Sequence, residues 1–183
     1  MHNLYAFVGG KLGKWRVLSV SAVRGASLDP VDHIDVRPAG GDLQANGNAW
    51  CLHGQISNLR YATRAELTAL RSSQEPLGRM QARRAALIPI KKTAAWWDLA
   101  QDERRAIFEE QSHHTEFGLK YLPAIARQLY HCRDMAQPFD FLTWFEYAPE
   151  FADAFEELVA KLRCTTEWQY VDREVDIRLE RQG

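Results

Sequence analysis

Nine residues near the C-terminal end constrain the fold more than any others. Val171, Arg173, Val175, Ile177 and Leu179 alternate with Asp172, Glu174, Asp176 and Arg178. A period of two sends successive side chains to opposite faces, so this stretch reads as strand and not helix. The strand, or a pair of strands, is expected over Thr166–Leu179. Phe139 to Tyr147 repeats the pattern, with Phe139, Phe141, Thr143, Phe145 and Tyr147 on one face. Between the two, the period changes. Over Glu150–Leu162 the residues Phe151, Phe155, Leu158, Val159 and Leu162 fall on one side of an amphipathic helix. A sheet with a helix laid on it is the minimum these three segments require.

The remaining chain extends that plan. Ala85–Ile90 reads as a strand in which Pro89 is tolerated only at an edge, an end or a bulge. Thr93 to about Gly118 reads as one long helix, with acidic residues in the DERR turn that opens part of it. Gly118 and Pro123 interrupt it, and a second helical stretch is expected to run to about Cys132. Upstream, Trp15–Val23 and Trp50–Ile56 are expected strands, Thr63–Ser72 a short helix, and residues 26–48 a loop rich in Gly, Pro, Asp and Asn. The later order is β, long α, β, α, β. It predicts an α+β fold: a ferredoxin-like antiparallel sheet with helices on one face.

A chain of 183 residues, 46% hydrophobic and 26% charged, has room for one substantial domain. Residues 1–90 read as an abbreviated first half and 91–183 as the second. Lys and Arg total 23 against 24 Asp and Glu, a net charge of −1. That balance leaves no electrostatic footprint for nucleic acid or an anionic membrane surface, and neither partner is expected. No run approaches the roughly 18 apolar residues of a spanning helix. The N-terminal MHNLYAFVGGKLGKW lacks the parts of a secretory signal, so a cytoplasmic protein is expected. The three cysteines, Cys51, Cys132 and Cys164, are too scattered for a disulfide framework or a thiolate metal site, and read as small buried hydrophobes.

Three residues stand out chemically. On a helix, His114 lies seven residues after Ile107, three before Phe117 and seven before Tyr121, which puts it on the apolar face. His113 falls among Glu109, Glu110 and Glu116 on the opposite, solvated one. Such a histidine is either a hydrogen-bonded core imidazole or an axial metal ligand through Nε2. Arg127, among Ala, Ile and Leu on the expected second helix, either snorkels to water or holds an anion in an apolar cavity with a charge it cannot lose. An unbroken helix would separate these two residues by about 20 Å, but the breaks at Gly118 and Pro123 permit a turn. Glu167, in a strand and pointing opposite Trp168, is either an exposed carboxylate or the acceptor of the His114 Nδ1 proton.

The runs DERRAIFEEQSHHTEFGLKYLPAIARQLYHCRD, FDFLTWFEYAP and TTEWQYVDREVDIRL, in this order, resemble the chlorite dismutase family of haem b proteins, and in particular its short-chain, dimeric branch. The resemblance covers about residues 85–179 and weakens before Trp50. It implies a dimeric α+β barrel type of fold and non-covalent haem b, with His114 as the axial iron ligand and Glu167 as its carboxylate partner. It implies a catalytic Arg127 on the distal side, hydrogen-bonded by Gln74. Lys92 and Trp96 fall where the family contacts the haem propionates and edge, with Tyr61 as another propionate donor. Leu129, Thr143 and Phe145 would wall the pocket, while Trp144, on the opposite strand face, would serve sheet or subunit packing.

The function so implied is decomposition of the small anion chlorite to chloride and dioxygen, with O–O bond formation, by a homodimer serving detoxification. Arg127 would hold the anionic fragment in place until the bond forms. No carboxylate or histidine is evident on the Arg127 side as a general base, so weak peroxidase activity is expected beside chlorite decomposition. Two alternatives stay open: a coproheme decarboxylase of haem biosynthesis, and a non-catalytic haem-binding or sensing protein.

Overall fold

The structure is a computed structural model and describes residues 3–39, 48–56 and 63–182. Eight strands close into one antiparallel barrel: β1 (Leu4–Gly10), β2 (Trp15–Arg24), β3 (His33–Pro38), β4 (Asn48–Ile56), β5 (Arg84–Lys92), β6 (Ile125–His131), β7 (Phe141–Tyr147) and β8 (Val171–Arg181). The order around the barrel is β1-β3-β2-β8-β5-β7-β6-β4, and β4 pairs with β1 to close it. The first four strands precede α1 (Arg64–Ser73). The second four alternate with helices as β-α-β-β-α-β, in the order β8-β5-β7-β6. A division at residue 90 cuts β5, so the change of half falls before Arg84.

The alternation in β8 places Val175, Ile177 and Leu179 fully inside the barrel. There they meet Phe7, Trp15, Leu87, Tyr130, Leu142 and Trp144. The outward row is also covered. Helix α5 (Ala152–Arg163) lays Phe155, Leu158, Val159 and Leu162 over Ala86, Ile88 and Phe145. Both faces of this half of the sheet are therefore buried, and the site described below lies on the outer one. Buried Glu174 and Asp176 on β8 are neutralised from α5 by Arg163, at 2.6 and 2.7 Å.

Three local expectations are corrected. Pro89 lies mid-strand between β8 and β7, neither at an edge nor at an end. The β5–β8 ladder has no pairs at Ile88 and Pro89, so the missing N–H falls in that gap. The expected long helix is four pieces: α2 (Ala94–Asp98), α3 (Gln101–Arg105), a π-helical turn over Ala106–Gln111, and α4 (His114–Lys120). His113 breaks the run with φ 48, in the left-handed region. The break is stabilised because the Glu109 carboxylate accepts the Thr115 N–H, one of the orphan donors of the new helix start, at 2.9 Å. The second expected helix is the strand β6. Pro123 ends the helical path, and Ala126 and Tyr130 turn into the barrel while Ile125, Arg127, Leu129 and His131 turn out. Among the cysteines, Cys132 is buried, Cys51 half-buried and Cys164 exposed, so the last is no core residue. No helix among the described residues is long and apolar enough to cross a membrane.

Candidate functional site

A cleft opens on the outer face of β5, β6 and β7, roofed by the π-turn, α4 and α5. The space in and before it, counted out past its mouth, is about 1220 Å³. Ile88, Leu129, Thr143 and Phe145 form its floor and Phe108 and Leu158 part of its roof, so the walls are mostly apolar.

His114, the first residue of α4, enters from the roof and stacks on Phe108 with ring centres 4.2 Å apart. Its Nδ1 lies 2.8 Å from Glu167 Oε2. Glu167 does not sit in a strand; it occupies a 3-10 turn over Thr166–Tyr170, which tucks its side chain inward. The other carboxylate oxygen accepts from Lys92 Nζ at 2.6 Å, and the Glu167 N–H donates to Ser112 Oγ at 3.0 Å. Burial alone would raise the Glu167 carboxyl, but the Lys92 and His114 charges and hydrogen bonds prevail and hold it down at about 2. An ionised carboxylate only accepts, so Nδ1 donates the proton of this bond, and Nε2 is the ring nitrogen left for a ligand.

Lys92 is thus a correction. Expected at the haem propionates and edge, it lines the cleft but is buried against Glu167, with its ammonium 4.7 Å from the centre of the Trp96 ring and its backbone N–H donating to Asp140 at 2.7 Å. Two adjacent lysines carry no sequence signal for this. The contact depends on the end of β5 meeting a turn 75 residues further on.

Across the cleft, Arg127 projects from β6 toward α4. A Cβ placed on Gly118 would stand 3.9 Å from its Cζ, so this glycine leaves the guanidinium its room. Among the described residues Arg127 makes no hydrogen bond or ion pair, which corrects the expected bond to Gln74. Gln74 is the C-cap of α1, binding Leu70 through its backbone, and does not line the cleft. Desolvation pulls the Arg127 pKa below the ordinary value, with Glu109 opposing it, and a guanidinium still stays charged. Trp96, Leu129, Thr143 and Phe145 line the cleft; Trp144 points into the barrel, edge-on to Trp15 at 5.3 Å; Tyr61 lies outside the described residues.

His131 also lines the cleft, on the same floor as Arg127. The expectation concerned a general base beside Arg127, and His131 stands four residues further along β6. A spacing of four keeps both residues on one face in a helix or in a strand, so the signal was available whichever way the segment was read. No group of three or more His, Cys, Asp and Glu able to hold a bare ion occurs among the described residues. A lone imidazole with its Nδ1 tied down is the donor set of an axial position on a metal that brings its own equatorial ligand.

A family model for chlorite dismutase matches residues 43–182. The chain belongs to the chlorite dismutase family. It superimposes with a TM-score of 0.91 on a structure described as dimeric chlorite dismutases from Nitrobacter winogradskyi, at 59% identity, covering 97% of this chain and 99% of that one. A chlorite dismutase of Candidatus Nitrospira defluvii shares the fold, with a TM-score of 0.68 at 24% identity over 99% of this chain and 92% of that one. The chlorite dismutase of Ideonella dechloratans is 35% identical over 86 residues, 47% of this chain, and the match spans 28% of that relative's length.

Proposed function

We propose that this member of the chlorite dismutase family binds haem b in the cleft and decomposes chlorite to chloride and dioxygen. The reading rests on one observation. A carboxylate-anchored imidazole and a guanidinium with no partner among the described residues both line one apolar cleft. The donor set fits the cofactor: His114 Nε2 would hold the iron, and the apolar floor and roof would cover the macrocycle. When bound, haem supplies the redox chemistry by which oxygen leaves chlorine.

The chain's own residues account for the rest. Glu167 holds the Nδ1 proton of His114 and stays ionised because Lys92 compensates its charge, which keeps the imidazole electron-rich. The Arg127 charge would draw a small anion into the apolar cleft and hold it in place there while the cofactor supplies its chemistry. Glu109, whose charge partly offsets the desolvation of Arg127, accepts the Thr115 N–H.

Strands β5–β8, with their order β8-β5-β7-β6, support reading this half as ferredoxin-like and the whole as a dimeric α+β barrel. Likeness to the dimeric Nitrobacter protein supports a homodimer. The experiment is an oxygen-electrode trace on haem-loaded protein after chlorite is added. Prompt oxygen evolution, lost in Arg127→Ala, is the expected result. A silent electrode with an intact Soret band refutes the reading and favours coproheme decarboxylation or haem sensing.

A further inference from the structure

His131 is the one titratable side chain on the cleft floor besides Arg127, among the described residues, that the proposed mechanism does not use. Along β6 the outward row is Ile125, Arg127, Leu129, His131, and all four line the cleft. Four residues of strand set the Cα atoms of Arg127 and His131 about 13 Å apart on one face. The same rows continue across the sheet: Arg127 pairs with Phe145, Leu129 with Thr143, and His131 with Phe141. The floor therefore has a cationic end and an imidazole end, with an apolar stretch between.

The imidazole end lies where β5 runs out toward Lys92 and, beyond it, Trp96. Ile90 of β5 pairs with the same Phe141 that faces His131. The His131 ring is 8% exposed and set edge-on to Phe141, with ring centres 5.1 Å apart at 73°, so its orientation is fixed by packing. Two charged residues on the cleft wall at this level are each held by a partner. Lys92 is bound to Glu167, and Glu174 is bound to Arg163 and to Trp168 Nε1.

A haem is apolar over most of its area and carries its carboxylates on one edge. An apolar cleft can accept it only if that edge meets a hydrogen-bond donor or water. Building on the haem reading above, we propose that His131 anchors the bound cofactor by donating a ring N–H to one of its edge carboxylates. This assigns the Arg127 end of the floor to the substrate anion and the His131 end to the cofactor's own anionic edge. At about 13 Å from Arg127, His131 is a cofactor-binding residue and takes no part in proton transfer to the substrate.

The test measures cofactor release to excess haem scavenger, followed at the Soret band. It compares wild type, His131→Phe and His131→Asn, each loaded with haemin or with haemin dimethyl ester, whose carboxylates cannot act as anions. Phe retains the packing against Phe141 and removes the donor. His131→Phe is expected to release haemin roughly tenfold to a hundredfold faster, the loss of one hydrogen bond to a charged group, while releasing the diester at the wild-type rate. His131→Asn, which keeps an N–H donor, is expected to lose less. Unchanged haemin release in His131→Phe overturns the proposal. So does equal acceleration for haemin and diester, which would mark a packing role. Failure of wild type to take up haemin at all would instead overturn the haem reading itself.

Discussion

Lys92→Met leaves the Glu167 carboxylate buried, at 5% exposure, with its compensating cation removed and His114 as its remaining partner among the described residues. Its carboxyl lies at about 2 where the ordinary value is 4.5. At ~1.4 kcal/mol for each tenfold change, that gap favours the ionised form by about 3 kcal/mol. Breaking a buried pair from one side costs a similar amount, roughly 3–5 kcal/mol. In a chain of this size, that lowers the melting temperature by about 6–20 °C. The pH dependence has a definite sign. In wild type the unfolded chain binds the Glu167 proton near 4.5 and the folded chain only near 2. The stabilisation is therefore complete above pH 4.5 and is lost as pH falls toward 2. In Lys92→Met burial dominates and the carboxyl rises, so the defect at pH 7 should shrink on acidification. Urea unfolding of cofactor-free protein at fixed concentration measures both effects. The double variant Lys92→Met/Glu167→Gln should be more stable at pH 7 than Lys92→Met alone, because no uncompensated charge remains. A Lys92→Met protein as stable as wild type at pH 7, or a double variant that loses the sum of the two single losses, refutes the reasoning.

Other outcomes follow from the same geometry. His114→Ala should lose haem retention and regain a Soret band when imidazole is added; unchanged cofactor occupancy would remove His114 as ligand. Glu167→Gln should raise the haem reduction potential, and an unshifted potential would count against an electron-rich His114. Arg127→Ala should keep haem but lower chlorite turnover by roughly a hundredfold and leak hypochlorite into a trapping assay; wild-type turnover without leakage would sink the retention argument. Gly118→Ala should be tolerated, since its Cβ makes only ordinary contact with Arg127 at 3.9 Å. Gly118→Val should displace the guanidinium and weaken chlorite binding on the order of tenfold, and equal KM values for the two variants would contradict that placement.

The sequence made legible those parts whose periodicity has only one reading. Val171–Leu179 can only be a strand, and Phe155, Leu158, Val159 and Leu162 can only be the stripe of a helix; the structure has both, though β8 begins at Val171 and the residues before it form a turn. Ile125–Leu129 was ambiguous, because apolar residues four apart share a face under either period. The barrel decided it by giving Ala126 and Tyr130 an interior to fill. His113 carries no local signal for a left-handed backbone, because the break is held by Glu109 and by Ser112 acting on Glu167, 55 residues away. The Lys92–Glu167 pair was hidden for the same reason: it is a product of closure.

Closure also explains how the site keeps its alignment. Trp144 on β7 points inward, edge-on to Trp15, tilted against Phe7 at 6.0 Å, and donates through Nε1 to Glu146 at 3.0 Å. Its partner on β6 is Gln128, which lies between Arg127 and Leu129 on the cleft side. A slip of one residue in either strand would turn Trp144 out of the core or Arg127 into it, because each strand alternates faces. The aromatic interior therefore fixes the register that aims Arg127 across the cleft at α4, where His114 is fixed independently by Glu167. The two groups on which the proposed chemistry depends are 13 residues apart in sequence, yet each is set by a different packing constraint. Core substitutions at Trp144 should therefore disturb Arg127 before they disturb His114.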